Sequence, residues 1–418
     1  MRFGRLLLAI AFLLSSLSAA NAQVTIEKLR TSPEEATSLF HPYPAAPDID
    51  TPPPSGYKPF YISHYGRHGS RYETSKSIVE TAVVRMKKLD EKGLLTEKGK
   101  ELYSFLQSVF DESDGRWGEL TELGALEHRE IASRMVKRFA PVFDDKDRKD
   151  VRCVASTTTR CIVSMASATG EIRSQKPALN LTYSVGDRYQ PFMRSGGSST
   201  KSISPIIDKE RNQMFKEGLD PLRAGSVIFT NPEEALELIP NPISFFESVY
   251  RGWAIHLAMG FPFFDLRKYL DETSIMTLWG GTDGRYIILI GYPFANELIE
   301  DIIKRADDAL DGKSVCADLR YGHDNILLRL VNQIGLYTWY GHIAEANAGG
   351  DMATAVPMGS NFQMVFYSKG RGDVLVKVLY NEKERILPGL KPVSGPYYKW
   401  TDVREAWNNL ITNNTESL

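Results

Sequence analysis

Cysteine is scarce in this chain: Cys153, Cys161 and Cys316 are the three among 418 residues. Three thiols leave at least one unpaired, so no disulfide scaffold is expected. Cys153 and Cys161 are near neighbours, but one falls on an expected strand and the other on the following helix, poor geometry for a bridge. No C-x-x-C pair and no H-E-x-x-H occurs, so no metal is expected. Beyond the N-terminus, no apolar run approaches membrane-spanning length. No charge sign dominates, with 50 basic and 52 acidic residues, so neither nucleic acid nor an anionic membrane is an expected partner. Any anion site must be local. The loop Ser195-Gly196-Gly197-Ser198-Ser199-Thr200 lacks the Gly-Lys-Ser/Thr ending of a nucleotide-binding loop. There is no internal repeat.

The first 22 residues read as an export signal. Arg2 and Arg5 precede the apolar run Leu6 to Leu14, and Ala20-Asn21-Ala22 is a small-x-small cleavage site. Cleavage after Ala22 leaves 418 − 22 = 396 residues, with 48 of the 50 basic residues against 52 acidic ones. The expectation is a periplasmic or secreted protein, built as one large domain with an insertion or as two domains. With 42% hydrophobic residues a sizeable core is available.

The stretch from Phe60 to Thr74 carries the densest chemistry. It starts as a β-branched and aromatic run, the pattern of a buried strand, and breaks at Gly66 and Gly69. Arg67, His68 and Arg71 surround the break. Guanidinium forks match phosphate oxygens, and a histidine can form a covalent intermediate. Upstream, the proline-rich residues 23 to 59 predict an extended arm over the surface.

Downstream, helical spacing runs from Lys76 to Phe110. Thr121 in Leu120-Thr121-Glu122-Leu123-Gly124 is a helix N-cap candidate, with Leu126, Ile131, Met135 and Phe139 on the inner face. His128 reads as an ordinary helical histidine. A second strand spans Asp150 to Ser156. It ends in the hydroxyl cluster Ser156-Thr157-Thr158-Thr159 with Arg160 just inside the next helix, a junction that favours anions. Residues 173 to about 285 read as mainly helical, closing at a turn, Gly280-Gly281-Thr282-Asp283-Gly284. A third strand, Val315 to Tyr321, ends in Gly322-His323-Asp324-Asn325 before a helix from Ile326. Asn361 to Tyr367 and Asp373 to Tyr380 read as a strand pair. Ligands of open α/β sheets sit beyond the carboxyl ends of strands, so positions 68, 160 and 323 can converge.

Arg67-His68-Gly69-Ser70-Arg71-Tyr72 after a strand, Leu120 to Gly124, Arg160 after Ser-Thr, and His323-Asp324 together resemble the histidine acid phosphatases. That family includes phytases and multiple inositol polyphosphate phosphatases. The resemblance implies an α/β, phosphoglycerate-mutase-like three-layer sandwich with a central mixed sheet and an α-helical insertion. The implied division is 23–175 plus 286–418 for the phosphatase domain and 176–285 for the insertion. It implies phosphomonoester hydrolysis without a cofactor, with inositol phosphates among the candidate substrates. His68 is then the nucleophile and Asp324 the proton donor. Arg67, Arg71, Arg160 and His323 bind phosphate, and Thr74 is a candidate substrate contact. Glu345 in His342-Ile343-Ala344-Glu345 is the alternative acid. Glu73 stands where the family has proline, and a carboxylate near the mouth is expected to repel highly phosphorylated substrates. The alternatives are a phosphotransferase or mutase of the same superfamily, and a non-catalytic binder of phosphate ligands.

Overall fold

Strand β1 (Lys58–Arg67) runs through the middle of an eight-stranded sheet ordered β3-β2-β4-β1-β5-β6-β7, with β8 paired to β6. The computed structural model describes residues 26–44, 50–194, 198–290, 295–312, 314–337, 352–370 and 373–416. The expected signal at 1–22 and the His342–Glu345 alternative lie outside the described residues. Strands β2 (Asp150–Ala155), β3 (Asn180–Val185), β4 (Val315–Gly322) and β1 are mutually parallel. Strands β5 (Asn361–Ser368), β6 (Val374–Tyr380), β7 (Lys383–Arg385) and β8 (Tyr397–Lys399) continue antiparallel. The sheet is therefore mixed.

Helices cover both faces, and alternate side chains of each strand feed two cores. Tyr61 and Tyr65 of β1, Phe362, Met364 and Phe366 of β5, and Val376 and Val378 of β6 enter one core. Ile62, Val365, Tyr367, Leu375 and Leu379 enter the other. Every residue of β4 is buried, as a strand covered on both sides requires. The first core takes helices α1 (Lys76–Glu91) and α2 (Glu97–Ser113); the second takes α3 (Glu122–Arg138) and α4 (Thr159–Gln175). No described helix is long and apolar enough to cross a membrane.

Several expectations shift. The helical spacing from Lys76 to Phe110 resolves into two helices, separated where Gly93 takes a left-handed φ of 70°. Leu126, expected inside, is 42% exposed, whereas Ile131, Met135 and Phe139 are buried. The span 176–285 was expected to be insertion throughout, yet Asn180–Val185 is the edge strand of the sheet. Its side chains are half-buried or exposed, so it carries little hydrophobic signal. The helical stretch begins after Gly186 and ends with α5 (Ser198–Gly218), α6 (Pro242–Ala254) and α7 (Glu272–Ile290). The expected turn at Gly280–Gly284 lies inside α7. A Cβ on Gly281 would sit 2.5 Å from the Phe215 ring of α5, so this glycine serves close helix packing and not a turn.

The proline-rich arm is also more than a surface cover. Pro33–Phe40 forms a 3-10 helix whose residues Ala36 to Phe40 are all buried. Proline at its first position suits a helix start, since the lost N–H had no partner there.

Candidate active site

Sheet register brings the three chemistry-bearing strand ends level. Arg67 of β1 faces Gly322 of β4, and Ala155 of β2 faces Tyr321. One residue further, the N–H of His68 donates to the Gly322 carbonyl at 3.0 Å, and that of Ser156 to the Tyr321 carbonyl at 3.0 Å. His68, Ser156 and His323 thus leave the sheet side by side. The His68 and His323 rings stand edge to face, with centroids 5.8 Å apart.

The loop after β1 is locked by two glycines. A Cβ on Gly69 would lie 2.5 Å from the Gly124 carbonyl oxygen, and one on Gly124 would lie 2.1 Å from that of Ser70. Thr121 caps α3 by accepting from the Gly124 N–H at 3.1 Å, and its own N–H donates to the Ser70 carbonyl at 2.9 Å. The Leu-Thr-x-x-Gly element is therefore the cradle of the loop. Gly124→Ala is expected to cost about 1–3 kcal/mol, the usual range for overpacking, and to displace Ser70. A lowered thermal midpoint together with a raised Michaelis constant checks this; an unchanged midpoint counts against it.

His68 is buried, and its Nδ1 lies 2.9 Å from the Gly69 carbonyl oxygen. A carbonyl only accepts, so Nδ1 carries the proton and Nε2 the lone pair. Burial, then the charges of Arg160, Arg67 and Arg71, hold the imidazole pKa well below its ordinary value. The ring stays neutral and nucleophilic in acid.

Arg67 is fully buried. Its Nη1 donates to the carbonyls of Leu39 at 2.7 Å and Val356 at 2.5 Å, and its Nη2 lies 3.0 Å from Asp324 Oδ2. Arg71 donates to the Tyr72 carbonyl at 2.8 Å. Arg160 is half-buried at the start of α4, and desolvation followed by the Arg71 charge lowers its pKa to about 10. His323 immediately precedes helix α8 (Asp324–Gln333). Its Nε2 lies 3.0 Å from Ser156 Oγ, 3.4 Å from Thr158 Oγ1 and 3.7 Å from Cys161 Sγ. Burial and then the Arg160 charge lower its pKa to about 3. Asp324 opens the same helix. Burial pushes its pKa up, but Arg67, His323, Arg71 and Arg160 outweigh that and hold it below the ordinary value. Six of the seven candidates thus form one cluster. Thr74 is exposed at its edge, with its hydroxyl donating to Glu73 Oε1 at 3.0 Å.

Chemically, the cluster offers a neutral nucleophile, three guanidiniums for an anion, and a carboxyl group beside them. Cys153, Cys161 and Cys316 are free and buried, and burial pushes each thiol up to about 12.

No family model and no curated protein sequence matches this chain. Solved structures do. The Bifidobacterium longum multiple inositol polyphosphate phosphatase, seen with inositol hexasulfate, with phosphate and unliganded, superposes at a TM-score of 0.72. Its identity is 16–18%, over 89% of this chain and 97% of that one. The D. castellii phytase gives 0.62 at 13% identity, over 91% and 85% of the two chains. The Hafnia alvei phytase gives 0.53 at 13% identity, over 87% and 98%. This chain has the fold of those phosphatases.

On that phosphatase fold, several residues at the site were not apparent from the sequence. Glu127 of α3 is buried and accepts from the Ser70 N–H and hydroxyl, each at 2.7 Å, and from the Tyr43 N–H at 2.9 Å. It ties arm, loop and helix together. The only sequence signal was its position one residue before His128 on the capped helix. Tyr65 reaches across the sheet: its hydroxyl donates to the Met193 carbonyl at 2.8 Å and accepts from the His323 N–H at 2.9 Å. Gln190 bonds Ser156 Oγ at 3.3 Å and Thr157 Oγ1 at 3.0 Å. The start of the helical stretch is therefore fastened to two of the strand ends. Glu73, expected near the mouth, is 0% exposed and ion-paired with Arg251.

Proposed function

We propose that this chain is an exported histidine acid phosphatase that hydrolyses phosphate monoesters through a phosphohistidine on His68. The observation that carries the reading is a neutral His68 whose Nδ1–H is held by the Gly69 carbonyl, with three guanidinium charges acting on its ring. Nε2 attacks phosphorus in line; the N–P bond forms as the bond to the ester oxygen breaks. Arg67, Arg71 and Arg160 offset charge on the equatorial oxygens, with His323 beside them. Asp324 protonates the departing alkoxide, then accepts a proton from the water that hydrolyses the phosphohistidine. The export segment at 1–22 and the division of roles among these residues belong to the same proposal. Inositol phosphates are candidate substrates, since the neighbouring folds carry the names phytase and inositol polyphosphate phosphatase.

The test is phosphate release by the chain from Gln23 onward, with a chelator present, from a nitrophenyl phosphate, an alkyl phosphate and phytate. Release from the two simple esters at acidic pH is expected. Release from none of the three would overturn the reading.

A further inference from the structure

Glu73 is a buried carboxylate set between two arginines, Arg71 and Arg251. Its Oε2 lies 2.7 Å from Arg251 Nη2, and its Oε1 lies 3.6 Å from Arg71 Nη1 and accepts from the Thr74 N–H at 2.6 Å. Burial alone would raise its pKa, but Arg251, Arg71 and that N–H bring it to about 2, so it is ionised throughout the working range. Arg251 comes from α6, far along the chain. That helix is pinned hard: Ser248 Oγ accepts from the Ala82 N–H at 2.9 Å and donates to the Ile78 carbonyl at 2.6 Å, and Tyr250 donates to the Ala36 carbonyl at 2.7 Å. The Phe40 ring faces both cations, 5.5 Å from the Arg71 guanidinium carbon and 4.8 Å from that of Arg251. The chain therefore places a fourth arginine beside the phosphate loop and sets a carboxylate between it and Arg71.

We propose that Glu73 determines how many phosphoryl groups the pocket binds together: as the buried counter-ion of Arg251, it keeps that cation bound to the loop, so the site takes one phosphoryl group well and a neighbouring second one poorly. This rests on the phosphatase reading and deepens it, naming singly phosphorylated esters as the preferred class. The effect comes from charge count. Replacing the carboxylate by an amide adds one net positive charge next to Arg71, and a dianion within a few ångströms at low effective dielectric feels that strongly. Glu73 touches no ligand in this scheme; it acts through Arg251 and Arg71.

The test is binding, measured by calorimetry in a His68→Ala background so that nothing turns over. Inorganic phosphate and pyrophosphate are the probes. Glu73→Gln is expected to raise the preference for pyrophosphate over phosphate by about tenfold or more. Arg251→Met is expected to lower the preference by a similar factor, because Glu73 is then uncompensated. The pair Glu73→Gln with Arg251→Met restores the charge and is expected to return the ratio to within about twofold of the parent. If Glu73→Gln does not fold, Arg251→Met alone decides. A ratio unmoved in the single variants, with both anions weakened equally, would mean that Glu73 only holds the loop, and would overturn the inference while leaving the phosphatase reading intact. Failure of the parent to bind either anion would overturn both.

Discussion

His68→Ala is expected to cost about 10⁴- to 10⁶-fold in turnover, the scale seen when a nucleophile that works as part of a unit is removed. Phosphate binding should survive, because Arg67 and Arg71 are held by groups other than the His68 side chain. Arg67 in particular is fixed by the Leu39 and Val356 carbonyls. The removal also takes away the group whose pKa Arg160, Arg67 and Arg71 depress, so no new buried charge is left unpaired. A direct check is rapid quench into base, which preserves a phosphohistidine: label on the wild-type chain and none on His68→Ala. Turnover within tenfold of wild type in His68→Ala would sink the covalent mechanism. Loss of both turnover and phosphate binding would instead point to collapse of the loop on Gly124.

Legibility followed chain-local signals. The strand at Phe60, the Thr121 cap and the strands ending at Ala155 and Gly322 each announce themselves within about ten residues, through periodicity or a cap. Residues 67, 68, 71, 160, 323 and 324 inherit their places from those elements, which is why one reading of strand ends finds them. Arg251, Glu127, Phe40 and Tyr65 carry no such local mark. Each acts through a contact with residues remote in the chain, and a lone arginine on an amphipathic helix looks the same whether it faces solvent or a buried carboxylate. Glu73 was legible as unusual but not as buried, because nothing near it in sequence names its partner. Glycine misled in α7 for a related reason: a Gly-rich run signals a turn unless a ring from another helix fills the space. The edge strand at Asn180–Val185 was missed because its burial is too slight to leave an alternating pattern.

Asp324→Asn is expected to lower turnover of an alkyl phosphate by roughly 10²- to 10⁴-fold, the usual worth of a general acid. For a nitrophenyl ester, whose leaving oxygen needs no proton, the first burst of nitrophenol should be nearly as fast as in the wild type, and only the later hydrolysis of the phosphohistidine should slow with the lost base. That contrast separates acid catalysis from mere support of Arg67, which would harm both substrates alike. The proton itself poses a problem that the electrostatics resolve. In the empty pocket Asp324 is held below its ordinary value by Arg67, His323, Arg71 and Arg160, so it enters the cycle ionised. A bound phosphoryl dianion offsets those same cations and lets the pKa rise again. The ester monoanion, with a second pKa near 6, can bring the proton with it. The sign is then set: kcat/KM should fall by about tenfold per pH unit above roughly 6 as the monoanion disappears. His68 does not limit the acid side, because its own pKa lies well below the ordinary histidine value. Phosphate binding should be accompanied by proton uptake, visible as a dependence of the calorimetric heat on the ionisation enthalpy of the buffer. That uptake should vanish in Asp324→Asn. If Asp324→Asn leaves the alkyl phosphate untouched and Glu345→Gln shows the loss instead, the acid is the other carboxylate.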